Sequence, residues 1–416
     1  MKLVLPTEID GQVPAPPSKS QMQRAVAIGS LSEAPLTITN PDFSDDSQSA
    51  MSVVEGLGAK VERQFGGPEA NVRITPGAGL AQHTLNCGQS GLCMRLFPSI
   101  AALQDKPFTF TATGGLNTRP VGMLSDALSQ LGAESHCKNG LPPLSVQGPL
   151  RGGNAVMDAS VSSQPLSGLL LALPKAQADS HVEARGLESK PYVRMTMQLA
   201  AKFGVEIGHS ENLDAFDIPA RQQYRGGSYE VEGDWSGASF LLVAGAVAGR
   251  MAVEGLDADS LQADRAILDA LRLAGANVKD GPNSTRVERG ELQAFEFDLT
   301  QCPDLAPPLV VLAAYCPGTS ILRGTRRLRF KESDRAAVLK EEFAHLGVRV
   351  ETEENEMRIF GGAVRGGEVD SNGDHRIAMS AAVAALGSQE GVRIKNAACV
   401  SKSFPSFFER LEEARA

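Results

Sequence analysis

Apolar positions recur along the chain in two helical patterns. The first is an amphipathic helix that runs into a Leu-Gly-Ala-like ending, at Leu57-Gly58-Ala59, Leu131-Gly132-Ala133, Phe203-Gly204-Val205, Ala274-Gly275-Ala276 and Leu346-Gly347-Val348. The closing glycines are 74, 72, 71 and 72 residues apart, and each suits the position just past a helix end. The second is a helix of small apolar residues, as in 25–29, 169–173 and 377–386. These helices open at Ser20, Ser90, Ser163, Ser236, Asp304 and His375, in steps of 70, 73, 73, 68 and 71. Short runs at 36–39, 108–112 and 320–322 read as intervening strands. The result is a unit of about 70 residues, repeated six times, too long for the common solenoids. It predicts an α/β fold of α+β repeats in two domains of three units. The expected domains are 17–232, and 1–16 plus 233–416. The chain crosses twice between them, which predicts a hinge and a ligand cleft that closes about it.

Composition narrows the function. The 416 residues are 42% hydrophobic and 21% charged, as in a soluble protein of two or more domains. A net charge of −9 argues against a nucleic-acid partner, though not against a local basic cleft. The six cysteines form no Cys-x-x-Cys pair, so neither zinc nor a disulfide framework is expected. The first residues are too few and too acidic for a signal peptide. No apolar run reaches the ~18–20 residues of a membrane span. A cytoplasmic, monomeric protein with no membrane partner is the expectation.

Against this acidic background, cations gather at predicted helix starts. Lys331-Glu332-Ser333-Asp334-Arg335 follows a strand-like run at 318–323 and precedes a helix at 336–346, so it is expected to form that helix's first turn. Lys331 and Arg335 would share a face and repel each other, and both would oppose the helix dipole. A bound anion would relieve both penalties, with Glu332 as a possible proton carrier. Taken alone, the stretch is equally a solvated helix start with a local ion pair. The placement recurs at Lys19, Arg24, Arg95, Arg119, Arg376 and Lys402. Ser20 lies four residues before Arg24, on the same helix face. Gly91 belongs to a Gly-flanked turn that leads into Arg95, where backbone N–H groups can hold an anion. Ser162, Ser163 and Gln164 offer two hydroxyls and an amide, and Ser189 opens another helix. Asp46 and Asp304 are each readable as helix caps, but Asp304 lies amid cations and could move protons. Cys93 has no nearby histidine to activate it as a nucleophile. No Walker pattern, dinucleotide fingerprint or metal-ligand spacing appears. The residues point to a two-domain, metal-free enzyme acting on phosphorylated or carboxylated small molecules.

At these residues the chain resembles the enolpyruvyl transferases, and most closely the branch acting on shikimate-3-phosphate. The match runs in order through Ser18-Lys19-Ser20 with Arg24, Gly88 to Arg95, Arg119-Pro120, Ser162-Ser163-Gln164, Ser189-Lys190-Pro191-Tyr192, Glu232-Gly233-Asp234, Pro303-Asp304, Lys331 to Arg335, Asp374-His375-Arg376 and Lys402-x-Phe404-Pro405. The resemblance implies two domains of three βαβαββ units each. It implies transfer of the enolpyruvyl group of phosphoenolpyruvate to the 5-hydroxyl of shikimate-3-phosphate, through a tetrahedral ketal and without a cofactor. It assigns Lys19, Ser20, Arg24, Ser162, Ser163, Gln164, Ser189, Asp304 and Lys331 to shikimate-3-phosphate. Lys19, Gly91, Arg119, Gln164, Arg335, Arg376 and Lys402 would hold phosphoenolpyruvate, and Asp304, Glu332 and Lys19 would carry protons. Two rival readings remain: the sister transferase acting on UDP-N-acetylglucosamine, and a non-catalytic anion-binding homologue. Leu92 and Leu96 stand where the family usually has Thr and Pro, which predicts reduced sensitivity to glyphosate. Arg327 stands where it often has Asn, and Pro17 where Gly commonly precedes Ser-Lys-Ser.

Overall fold

The helix-ending glycines take the left-handed backbone that only glycine adopts without strain. Gly58, Gly132, Gly204, Gly275 and Gly347 have φ of 104°, 88°, 87°, 86° and 81°. They follow helices Asp45–Gly56, Gly122–Gln130, Lys190–Lys202, Ile267–Leu273 and Arg335–His345. The structure, a computed structural model, describes residues 1–66, 70–79 and 82–416. It divides into one unit of residues 19–231 and another of 1–18 with 232–416. Pro17, Ser18 and Glu232, expected in the first domain, fall in the second unit instead. The cause is local pairing: the Ser18 N–H donates to the Glu232 carbonyl at 2.8 Å, and Pro17 bridges Gly233.

Among the described residues, unit 19–231 carries three four-stranded sheets. In the second, Thr84–Asn86 pairs parallel with Pro107–Thr111, which pairs antiparallel with Leu141–Gln147, which pairs antiparallel with Glu134–Lys138. The third, from Gly153–Asp158 onward, repeats the pattern. In the first, Leu36–Thr39 takes its parallel partner, Gly227–Glu230, from the far end of the unit. The other unit follows the same scheme. Ile9–Pro14 pairs parallel with Gly249–Glu254, Glu296–Asp298 with Gly318–Arg323, and Gly367–Asp370 with Val392–Lys395. Lys2–Val4 closes that last sheet antiparallel. Each unit is thus tied head to tail by a strand from its opposite end. Elements run strand, helix, strand, helix, strand, strand, as in Glu296–Asp298, Ala306–Ala314, Gly318–Arg323, Arg335–His345, Arg349–Thr352 and Glu356–Gly361.

The small-residue helices lie inside the sheets. Every residue of Trp235–Ala248, Ala306–Ala314 and His375–Leu386 is buried, as expected of helices apolar on all faces. These three pack on one another, and their small side chains allow close approach. In unit 19–231, Gly91–Ala101 packs on Gln164–Ala172 and on Lys19–Leu31. A Cβ on Gly168 would lie 2.8 Å from the Leu96 carbonyl oxygen, so that contact is closed to any larger residue. Because the central helices of each unit are packed together, their polar starts come together as well. No described helix is long and apolar enough to cross a membrane.

Candidate active site

In unit 19–231 the polar starts form two hubs. Lys19 opens its helix and pairs with Asp46 at 2.9 Å. Asp46 stands in the first turn of Asp45–Gly56, where a carboxylate is favoured. Behind it Asp42 accepts hydrogen bonds from the Ser44 N–H and hydroxyl and from the Ser47 hydroxyl. Burial pushes Asp42 up to about 6, against the pull of these bonds and of Lys19. Arg24 is buried and donates to Thr196 Oγ1 at 2.8 Å, the Ser20 carbonyl at 2.8 Å, Ser167 Oγ at 3.3 Å and the Tyr192 carbonyl at 3.4 Å. All are neutral acceptors. Burial lowers Arg24 to about 10, with only Tyr192 and Tyr229 opposing it. A buried cation without a counter-carboxylate is costly, and an arriving anion offsets that cost.

The second hub turns on Arg95. Its guanidinium donates to the Pro120 carbonyl at 3.1 and 2.9 Å and to Gln164 Oε1 at 2.9 Å. It therefore orients the Gln164 amide and the backbone beside Arg119. Arg119 lies across Gly91, where a Cβ would come within 2.7 Å of its Nη1. Ser162 Oγ accepts the Gln164 N–H at 3.3 Å. Ser163 and Ser189 are buried at the N-caps of Gln164–Ala172 and Lys190–Lys202, two helices that pack together. Contrary to the sequence expectation that Arg119-Pro120 opens a helix, the next α-helix starts only at Gly122. Cys93 is fully buried.

In the unit of 1–18 and 232–416, the three buried helices bring Ser236, Asp304 and Arg376 together. Asp304 Oδ1 accepts from Lys331 Nζ at 3.1 Å and Arg335 Nη1 at 2.9 Å, while its Oδ2 lies 3.5 Å from Arg376 Nη2. Arg335 is fully buried and also binds Glu332 at 2.5 Å and Asp374 at 2.9 Å. Asp374 caps His375–Leu386 through the Arg376 N–H at 3.0 Å and accepts the Ser333 hydroxyl at 3.1 Å. Arg376 donates to Ser236 Oγ at 2.7 Å. Lys402 is buried at the end of the 3-10 helix Ala397–Lys402, and the last helix begins only at Phe407.

Charge in this cluster is balanced internally. Burial pushes Asp304 up, but Arg376, Lys331 and Arg335 together hold it well below the usual carboxylate range. Burial lowers Lys331, and Arg335 and Arg327 lower it further against the pull of Asp304. Burial also works against charge on Arg335, yet Asp374, Glu332 and Asp304 raise it. The first-turn geometry expected for Lys331 is corrected here. Lys331 ends the 3-10 helix Arg326–Phe330, and the α-helix starts at Arg335 with Asp334 as its cap, accepting the Ala337 N–H at 3.2 Å. Carboxylates of the protein, rather than helix geometry, therefore define this site. Sequence reasoning missed Asp374, Ser236 and buried Asp264 as members. Asp374 and Ser236 read simply as helix openers, and Asp264 sits in a sequence with no chemical mark.

The Asp42 environment has a measurable consequence. Its folded pKa of about 6 lies above the 3.8 of an ordinary Asp. The folded state therefore binds more protons between these values, and stability falls as pH rises through about 6. Asp42→Asn is expected to reduce the loss between pH 5 and pH 7.5 by about 1.4 kcal/mol. Urea unfolding at the two pH values checks this, and an unchanged slope would contradict it.

Comparison with known proteins agrees along the whole chain. A family model described as EPSP synthase (3-phosphoshikimate 1-carboxyvinyltransferase) matches residues 4–411. A relative from Thermococcus kodakarensis named 3-phosphoshikimate 1-carboxyvinyltransferase is 39% identical over 405 residues, covering 97% of each chain. One of the same name from Methanoculleus marisnigri is 37% identical over 412 residues, covering 97% of this chain and 96% of its own. The solved EPSP synthase of Acinetobacter baumannii superposes with a TM-score of 0.82 at 24% identity, covering 99% of this chain and 98% of that one. An enolpyruvyl transferase of Streptomyces tendae gives 0.80 at 16%, covering 99% and 96%. These two show the shared fold.

Proposed function

The chain belongs to the EPSP synthase family, and on that premise we propose that it transfers the enolpyruvyl group of phosphoenolpyruvate to the 5-hydroxyl of shikimate-3-phosphate, releasing phosphate, in aromatic amino acid biosynthesis. The observation that carries the mechanism is Asp304 held among Lys331, Arg335 and Arg376. Both substrates are anions that repel each other, so fixed cations are needed to align them. Lys19, Ser20, Arg24, Ser162, Ser163, Gln164, Ser189, Asp304 and Lys331 are assigned to shikimate-3-phosphate. Lys19, Gly91, Arg119, Gln164, Arg335, Arg376 and Lys402 are assigned to phosphoenolpyruvate. A cytoplasmic, monomeric working form belongs to the same reading.

The steps balance on these residues. The 5-hydroxyl oxygen bonds to C2 of phosphoenolpyruvate, and its proton passes to Asp304. A proton from Glu332, aided by Lys19, goes to C3, giving a tetrahedral ketal that still bears phosphate. Glu332 then takes back a C3 proton while phosphate departs with the proton held on Asp304, which restores the double bond, with the cations stabilising charge on the leaving group. A carboxylate held far below its ordinary range is a weak base. Incoming anions share the cations that surround Asp304, so its basicity rises as substrate binds. Reaction in deuterated solvent is expected to place deuterium in the product methylene, read by mass spectrometry together with one added enolpyruvyl group per acceptor. Product without deuterium would contradict the addition–elimination course.

Two further outcomes follow from unit 19–231. Gly91→Ala puts a methyl against the Arg119 guanidinium, which must swing aside. The KM for phosphoenolpyruvate is expected to rise roughly tenfold, a change of about 1.4 kcal/mol in affinity. An unchanged KM would separate Arg119 from that substrate. Leu92 and Leu96, both buried, replace the family's usual Thr and Pro on the helix presenting Gly91. Glyphosate is therefore expected to inhibit more weakly than it inhibits typical plant enzymes, and an inhibition constant as low as theirs would refute this.

A further inference from the structure

We propose that Asp264 is a positioning residue for the transfer reaction: across the Ser236 hydroxyl it sets where the Arg376 guanidinium points. The inference rests on the activity proposed above. Asp264 is completely buried, in the 3-10 helix Ala263–Ala266. Gln262 fixes that segment against the start of Trp235–Ala248: its Oε1 accepts the Trp235 N–H at 3.0 Å, and its amide donates to the Gly233 carbonyl at 2.8 Å and Glu232 Oε2 at 3.2 Å. This anchoring holds Asp264 against Ser236, with which it hydrogen-bonds.

The direction of that bond follows from donor counting. Arg376 Nη2 donates to Ser236 Oγ at 2.7 Å, and arginine cannot accept. Ser236 has one hydroxyl hydrogen, which goes to the Asp264 carboxylate. The resulting chain is Arg376 to Ser236 to Asp264. Arg376 also faces Asp304, with Nη2 at 3.5 Å from Oδ2 and Nη1 at 3.5 Å from the carbonyl oxygen. The guanidinium thus lies between two carboxylates and is seated closer to the hydroxyl that Asp264 orients. Without charge on Asp264 the seat weakens, and Arg376 moves onto Asp304. One cation is then withdrawn from the anionic substrate.

The charged and titratable groups facing Asp264 include Asp304, Arg376, Asp234 and Cys302. Burial raises Asp264 to about 6, helped by Asp304 and Asp234 and opposed by Arg376 and the Ser236 hydrogen bond. Its carboxylate is ionised above that value, where the seat is firm, and neutral below it, where the seat loosens.

The test is steady-state kinetics of the full chain with phosphoenolpyruvate varied, at pH 7.5 and 5.5. Asp264→Asn is expected to raise the KM for phosphoenolpyruvate roughly tenfold at pH 7.5, the difference between a charged and a neutral acceptor, with kcat within about threefold. At pH 5.5 the variant-to-wild-type ratio is expected to shrink to about threefold, because roughly three-quarters of wild-type Asp264 is then protonated. The ratio cancels the titration of phosphoenolpyruvate itself. Ser236→Ala is expected to raise KM at both pH values, and adding Asp264→Asn to it is expected to change nothing more. If Asp264→Asn melts early, Ser236→Ala alone decides: it must abolish the extra rise in wild-type KM toward pH 5.5. An unchanged KM, an equal ratio at both pH values or additive effects in the double variant would overturn the inference and leave the activity standing. A wild-type chain that releases no phosphate would overturn both.

Discussion

Asp304→Asn is expected to lower kcat by roughly 10²–10⁴-fold, the span of a positioned proton-transfer group, without raising the KM for phosphoenolpyruvate. The carboxylate engages Lys331, Arg335 and Arg376 at 3.1, 2.9 and 3.5 Å. An amide of the same shape removes the proton acceptor. It also leaves those cations less neutralised, so the site's affinity for anions holds or improves. A loss of fold would lower kcat and raise KM together, which makes the split between the two parameters informative. Near-normal kcat would remove Asp304 from the proton path.

The second large effect concerns Arg335. It is fully buried and binds Asp304, Glu332 and Asp374, the last also fully buried. Arg335→Met leaves those carboxylates without their shared cation. Stability at pH 7.5 is expected to fall by about 3–5 kcal/mol, as for a buried ion pair that loses one partner. The sign with pH follows from linkage. Asp304 is held well below its ordinary value, so the stability it contributes is present above the unfolded pKa and lost as pH falls through the folded one. Without Arg335 that contribution shrinks. The gap between variant and wild type is therefore expected to narrow as pH drops below about 4. Urea unfolding from pH 7.5 to 3 measures this, and a gap that widens at acid pH would contradict it.

The cations were legible in the sequence because they break a rule. Lys19, Arg24, Arg95 and Arg376 stand near helix starts that electrostatics disfavours for them, in a chain of net charge −9. The repeat was legible because glycine closes its helices at a steady interval. The partners were not. Asp374 and Ser236 look like ordinary N-caps, and only packing of the three buried helices turns them toward Arg335 and Arg376. Residues 326–330 carry no mark of the 3-10 turn that moves Lys331 off the helix. The pairing of Gly227–Glu230 with Leu36–Thr39 joins segments too distant for any local pattern to reveal. Arg95 was legible as a cation but not as a brace, since its acceptors, Pro120 and Gln164, lie on other elements.

The central claim is tested most directly by following phosphate release from phosphoenolpyruvate, with shikimate-3-phosphate or UDP-N-acetylglucosamine as acceptor. Release that requires shikimate-3-phosphate, stoichiometric with acceptor consumed, is the expected result. Release with the nucleotide sugar alone, or binding of both anions with no release, would contradict it.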